Sequence, residues 1–380
     1  MNPEESRKSA GLKNARNRSL ALAAPCQALV INRQNRAMSD SDWFQPRIHS
    51  RGSQFSLYNV VLRPFEPFFK NPHLSTIAGN FWIRPKSENR WPIETVDYET
   101  EPGVRVRVHA QRPDGKPRGE LILVHGLEGS SNAGYARSMV HAALEAGYAT
   151  NRVNLRSCGG TEELALSNYH SGQTSDVLHI VRERRRATDA PVFLIGFSLG
   201  GNVTLKLAGE LGDSARDLLA GVCAISTPID LAACAQALGK RENLIYDRRF
   251  LIALKGKIRR RVRQAPEIYT PEHLSKIRTI YEFDDYYTAR LFGFGTAANY
   301  YRTQSSSQFL ERIRVPALVV IAKDDPLVPF DVYGHSAFRT NPCLRLVAVE
   351  HGGHLGFLAR RRPRFWLDGL VLDWLAEQAR

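Results

Sequence analysis

The sequence predicts an α/β protein, a mostly parallel β-sheet with helices on both faces. Three observations carry this. Short, continuous apolar runs recur at 121–124, 149–153, 192–195, 219–225, 317–321 and 344–349. Parallel strands are buried on both faces, so runs of this kind need no polar alternation. Between them, apolar residues fall at helical spacing over 133–146, 175–186, 201–211, 332–338 and 364–379. Strand–helix alternation builds a parallel sheet covered by helices. Ahead of it, residues 93–99 and 104–111 are extended runs separated by Pro102-Gly103, the pattern of an antiparallel hairpin.

The bulk properties narrow the class of function. A chain of 380 residues with 43% hydrophobic and 24% charged side chains can bury a core of ordinary size without staples. Its five cysteines, Cys26, Cys158, Cys223, Cys234 and Cys343, are dispersed and never form C-x-x-C. That pattern argues against a disulfide framework or a zinc ribbon and for a reducing, cytoplasmic setting. No H-E-x-x-H and no phosphate-binding G-x-x-x-x-G-K-[ST] occurs, so neither a metal nor a cofactor is expected. The segment from Gly293 to Ala298 loosely echoes a dinucleotide fingerprint, but no strand precedes it.

Two segments stand apart. Residues 1–50 hold eight basic and four acidic side chains without a sustained period, and are expected to be a disordered basic arm. The apolar run at 20–31 is interrupted by Pro25 and is too short to cross a bilayer, and no cleavage site follows it. The protein is therefore expected to be soluble or at most peripheral. The second segment, residues 228–312, separates two core strands and is too long for a plain loop. It contains 12 of the 35 aromatic side chains, which need somewhere to be buried. A helical cap inserted into a core of 51–227 and 313–380 accounts for both facts. Tyr246, Phe250, Tyr281, Phe283, Phe292 and Phe294 are candidate pocket walls or cap core.

The chemistry centres on Gly196-Phe197-Ser198-Leu199-Gly200, which directly follows one predicted strand and opens a helix. That context turns a common pattern into a nucleophile elbow, where glycines permit a sharp strand-to-helix turn and the serine hydroxyl is exposed. A serine hydroxyl is a poor nucleophile until a base takes its proton and a third group orients the base. In this fold the partners follow in the order acid, then histidine. Asp324 and Asp325 lie just past the strand at 317–321, and His351 and His354 just past the strand at 344–349. Asp325 is preferred because the Asp-Pro-Leu-Val-Pro turn starts there, leaving Asp324 to cap the turn. His354 is preferred because Gly352-Gly353 lets its loop swing toward Ser198. The oxyanion would be held by the backbone amides of Leu199 and of Leu127, in the loop His125-Gly-Leu-Glu-Gly129. His125 reads as a structural residue of that loop.

An ordered string of motifs adds to this. Asn71-Pro-His-Leu74, His125-Gly-Leu-Glu-Gly-Ser-Ser-Asn132, Asn154-Leu-Arg-Ser-Cys-Gly159, Tyr169-His-Ser-Gly172 with Thr174 and Asp176, Gly196-Phe-Ser-Leu-Gly-Gly-Asn202 and His351-Gly-Gly-His354 all occur. Over roughly residues 60–375 the chain resembles the YheT-type branch of the α/β-hydrolase superfamily, also called AB hydrolase family four. The resemblance implies an α/β-hydrolase fold, serine carboxylester hydrolase activity, and a triad on Ser198, Asp325 and His354. Eukaryotic members act on lipid esters and carry an amino-terminal membrane anchor, a segment not expected here.

The expected activity is cleavage of a small ester or lipid ester by acyl transfer. An acyltransferase on the same triad and a non-catalytic basic scaffold are the alternatives. The formal charge of +14, with basic runs at 255–263 and 360–364, permits weak contact with an anionic membrane surface. Nucleic acid is not an expected partner, because no recognition motif accompanies the charge and no aromatics interleave with it.

Overall fold

The computed structural model describes residues 64–378. Eight strands form one sheet: β1 (Glu94–Glu101), β2 (Val104–Gln111), β3 (Glu120–Val124), β4 (Ala149–Val153), β5 (Val192–Phe197), β6 (Gly221–Ile225), β7 (Ala317–Ala322) and β8 (Leu344–Val349). Their order is β1-β2-β4-β3-β5-β6-β7-β8. β2 pairs antiparallel with β1 and β4, and the remaining pairings are parallel. The chain leaves β3 for β4 on one side and returns to β5 on the other. The order therefore reverses at β3, where open α/β sheets form a crevice at the carboxyl ends of their strands.

The flanking helices are α1 (Pro72–Phe81), α2 (Gly134–Glu145), α3 (Ser175–Ala187), α4 (Leu199–Leu211), α5 (Leu231–Leu238), α6 (Leu244–Gln264), α7 (Ala297–Gln304) and α8 (Trp366–Gln378). Two apolar layers cover the sheet. Ile122, Val124 and Leu194 pack with Val177, Ile180 and Val203 of α3 and α4 on one face. Leu121, Leu123 and Phe193 pack with Met139, Val140 and Val371 of α2 and α8 on the other. Successive side chains of one strand feed opposite layers, which is why these strands read as unbroken apolar runs.

Helix α1 has no counterpart among the expected elements. It is only ten residues long, its large apolar side chains Leu74, Ile77 and Phe81 are exposed among the described residues, and its start is set locally. Asn71 is the N-cap, its side chain accepting from the Leu74 amide at 3.0 Å, and proline occupies the first turn. The helix expected over 332–338 is instead a 3₁₀ turn (Phe330–Gly334) and a four-residue helix (Ala337–Thr340), because His335 between them is extended. The chain between β6 and β7 carries α5, α6, α7 and a π-helical turn at Asp284–Thr288. It buries its own apolar cluster, including Tyr246, Ile258, Phe283 and Tyr287. The basic arm expected over 1–50, with Cys26, lies outside the described residues.

One buried charge joins two helices on the same face. Asp368 of α8 accepts a hydrogen bond from the Ser138 hydroxyl of α2. Burial pushes its carboxyl up to about 7, against the opposing pull of the Ser138 hydroxyl and the Arg84 guanidinium. In an unfolded chain an aspartate titrates near ~3.9. Between those values the native state holds the extra proton, so this group's contribution to stability is lost as pH rises toward 7. Asp368→Asn is expected to flatten that part of the Tm–pH curve, raising Tm relative to wild type above pH ~7 but not below pH ~4. Parallel curves for the two proteins would contradict this.

Candidate active site

The parallel register brings the site's elements to one edge. Val124, the last residue of β3, pairs with Gly196 near the end of β5. The loop after β3 and the turn after β5 thus rise side by side. At that turn the α4 backbone runs against the sheet with no space for side chains. A Cβ on Gly196 would lie 2.2 Å from the Gly200 carbonyl oxygen, and one on Gly200 would lie 2.3 Å from that of Val124. Between these glycines Ser198 adopts φ 52°, ψ −121°, a conformation rare for a residue with a side chain.

The Ser198 hydroxyl lies 2.9 Å from His354 Nε2. His354 Nδ1 lies 2.9 Å from Asp325 Oδ2 and 3.1 Å from Oδ1. Asp325 Oδ1 also accepts from the amides of Leu327 and Val328 at 2.9 and 3.1 Å, which fixes the carboxylate. The Asp325 side chain is fully buried and that of His354 is 10% exposed. The three side chains come from the carboxyl ends of β5, β7 and β8 and meet in one hydrogen-bonded line.

The neighbouring pair has a different task. Asp324 Oδ1 accepts from the amides of Gly352 and Gly353, both at 2.9 Å, and Oδ2 lies 3.1 Å from His351 Nδ1. Asp324 thus braces the loop that carries His354. Gly353 serves a close approach more than a swing: its φ is +57°, and a Cβ there would lie 2.4 Å from the Pro72 carbonyl oxygen of α1. From the same helix, Thr76 Oγ1 accepts from the His354 amide at 2.8 Å and donates to the Pro72 carbonyl at 2.7 Å. Nothing in the sequence pointed to Thr76, because its role depends on the unexpected α1.

The loop after β3 is held from three sides. Buried His125 donates from Nδ1 to the Gly126 carbonyl at 2.7 Å and accepts at Nε2 from the Leu155 amide at 3.1 Å. Both ring nitrogens are thereby engaged in a neutral tautomer, and burial pushes the imidazole down to about 4. The Gly126 amide donates to the Tyr135 hydroxyl at 3.0 Å. Glu128, at φ 51°, donates its amide to the Tyr169 hydroxyl at 2.8 Å; that hydroxyl in turn donates to Glu128 Oε1 at 2.9 Å. Lys257 of α6 reaches the same carboxylate oxygen at 2.6 Å and lies 4.8 Å from the Tyr169 ring centre. Among the described residues, no acceptor takes up the amide of Leu127 or of Leu199, the latter being the first residue of α4, whose N–H has no intrahelical partner.

Above Ser198 and His354 opens a mainly apolar cleft, walled by Leu127, Leu199, Phe250, Ile258, Phe283 and Phe292 among others. Of the six aromatic candidates, Phe250, Phe283 and Phe292 line it. Tyr246 packs within the inserted segment, where His73 Nδ1 meets its hydroxyl at 3.1 Å; Phe294 packs against Tyr300, and Tyr281 is 47% exposed. Tyr287, Tyr300 and Tyr301, not singled out from sequence, also face the cleft. So does Asp284, which accepts from the Thr288 and Tyr301 hydroxyls at 2.6 Å and whose carboxyl burial pushes up to about 6. Among the described residues, no group of three or more His, Cys, Asp or Glu side chains is arranged to hold a metal ion.

Comparison with known proteins agrees with this architecture. The family described as the alpha/beta hydrolase fold matches residues 120–360. Escherichia coli YheT is 36% identical over 266 residues, which cover 68% of this chain and 76% of that protein. The monoacylglycerol lipase of Saccharomyces cerevisiae is 30% identical over 67% of this chain and 57% of its own length. Among solved structures, the Pyrococcus furiosus esterase Pf2001 superposes with a TM-score of 0.50 at 16% identity, covering 78% of this chain and 99% of that one, a likeness of fold. The chain belongs to the α/β-hydrolase fold family, in its YheT-type branch, and is a hydrolase of the ester-cleaving kind.

Proposed function

We propose that this protein cleaves carboxylic esters through an acyl-enzyme on Ser198. The observation that carries the reading is the unbroken line from Ser198 Oγ through His354 to buried Asp325, at the floor of an apolar cleft. Ser198 Oγ attacks the ester carbonyl as His354 Nε2 takes its proton, and Asp325 keeps the imidazole in the tautomer that can accept it. The negative charge on the former carbonyl oxygen is taken by the Leu127 and Leu199 amides, whose lack of other acceptors among the described residues supports this role. Each such donor is worth about 3 kcal/mol of transition-state stabilisation. Collapse of the intermediate breaks the ester C–O bond, and His354 returns the proton to the departing alcohol. Water then attacks the acyl-enzyme with His354 as base, releasing the acid and restoring Ser198.

The apolar walls favour an acyl chain over a charged substrate, and the similarity to the yeast monoacylglycerol lipase supports lipid esters as the class. The hydroxyls and carboxyl around Asp284 give the cleft a polar patch able to orient an alcohol portion.

Wild-type protein is expected to be labelled by a fluorophosphonate and to hydrolyse p-nitrophenyl butyrate. Ser198→Ala is expected to abolish labelling and lower kcat by at least about 10³-fold. Labelling retained in that variant would contradict the assignment. The two adjacent aspartates separate by kinetics. Asp325→Asn is expected to lower kcat by about 10⁴-fold through the wrong histidine tautomer. Asp324→Asn, which keeps an oxygen for the two glycine amides, is expected to stay within about tenfold of wild type. The opposite ranking would exchange their roles.

A further inference from the structure

The basic run at 255–263 lies within α6, the longest helix among the described residues, whose inner side walls the cleft through Phe250, Leu254, Lys257 and Ile258. Successive residues of a helix are separated by about 100°. On that spacing Ile245, Arg248, Arg249, Ile252, Arg259 and Arg263 share one stripe, opposite the cleft-lining residues. All six are exposed, Ile245 by 67% and Ile252 by 70%. Four basic members of the run do not belong to this stripe. Lys255 donates to the Ile277 carbonyl at 2.7 Å, and Arg260 pairs with Glu162 at 3.2 Å. Lys257 turns inward to Glu128, and Arg261 is buried, donating to the Glu162 carbonyl and to Gln264.

The stripe has two properties that a merely solvated face does not need. Among the described residues, none of its four arginines is in an ion pair, so the positive potential is left unneutralised. The helix holds one acidic residue, Asp247, and that residue is buried. At the same time two large aliphatic side chains, Ile245 and Ile252, stand among these arginines and are exposed among the described residues. A helix combining a cationic face with projecting aliphatic groups suits the boundary between charged headgroups and acyl chains.

We propose that the outer face of α6 docks on an anionic lipid surface, with Ile245 and Ile252 entering the acyl boundary and the arginines contacting headgroup phosphates. The occupant follows from charge. The face is cationic, as is the amino-terminal segment, whose residues 1–50 hold eight basic and four acidic side chains and so do not complement it. Docking would set the roof of the cleft against the phase in which lipid esters are dissolved. It rests on the ester-hydrolase reading for its purpose but not for its test.

The test is flotation of full-length Ser198→Ala protein with phosphatidylcholine vesicles, with and without phosphatidylglycerol. Recovery is expected with phosphatidylglycerol and not with phosphatidylcholine alone. In that background, Ile245→Ser with Ile252→Ser, and separately Arg248→Gln with Arg249→Gln, should each weaken binding by about tenfold or more. In the otherwise wild-type protein, neither pair should alter p-nitrophenyl butyrate turnover, since none of the four residues lines the cleft. Equal recovery with both vesicle types, or binding unchanged in both double variants, would overturn the proposal. So would a tRNA complex that the arginine variants lose while vesicles fail to bind. Loss of fluorophosphonate labelling in the otherwise wild-type protein would instead speak against the catalytic reading and leave the flotation result standing.

Discussion

The arrangement at the sheet's carboxyl edge depends on one steric constraint, the contact of the α4 backbone with the ends of β3 and β5. Gly196 and Gly200 allow an approach that any Cβ would prevent. That approach forces the turn so tight that Ser198 sits at positive φ, held there by its surroundings. Its amide donates to the Ile225 carbonyl of β6 at 2.8 Å, and its carbonyl accepts from the Gly201 amide at 2.8 Å. The hydroxyl then points out of the sheet toward the loops, and the β3 loop is pressed alongside; a Cβ on Gly126 would lie 3.0 Å from the Ser198 Cβ. A flatter turn would bury the hydroxyl and open a gap beside Leu127.

Several charged and polar groups that look like candidates for chemistry serve this geometry. Arg156 and Asp176 form a buried bidentate pair, both contacts at 2.7 Å, tying the segment after β4 to α3. Asn202 of α4 donates to the Ser171 and Gln304 carbonyls at 2.9 Å and accepts from the Ser306 amide at 2.8 Å, joining three segments around the elbow. Lys257 and Glu128 connect the inserted segment to the loop after β3 in the same way. Breaking one partner of such a pair leaves a buried charge uncompensated, which costs about 3–5 kcal/mol. The inserted segment is therefore coupled to the loop beside Ser198 as well as forming a wall of the cleft.

The parallel strands, the hairpin and the elbow were legible because each rests on local pattern: unbroken apolar runs, Pro102-Gly103, and a G-x-S-x-G between strand and helix. Loop chemistry favours Asp325 and His354 over their neighbours, and in the structure His354 lies between Asp325 and Ser198 at 2.9 Å from each. Gly353 is required by close packing on α1 and not by a swing of the loop. Helix α1 escaped because its start is a cap and its packing is tertiary, and with it went Thr76. Lys257 and Arg261 looked like surface charge because a basic run does not reveal which of its members face inward; only the phase of α6 against the core decides that. The aromatic walls divided for the same reason, with Tyr246 in the inserted segment's own core and Tyr300 at the cleft.

In the proposed reading the strained turn presents Ser198 Oγ to His354 on one side and to the Leu127 and Leu199 amides, which have no acceptor among the described residues, on the other. A crystal structure of the protein after reaction with a p-nitrophenyl phosphonate tests it most directly. Phosphorus is expected bonded to Ser198 Oγ, with its anionic oxygen within about 3 Å of the Leu127 and Leu199 nitrogens. A phosphonate attached elsewhere, or one whose oxygen turns away from both amides, would contradict it.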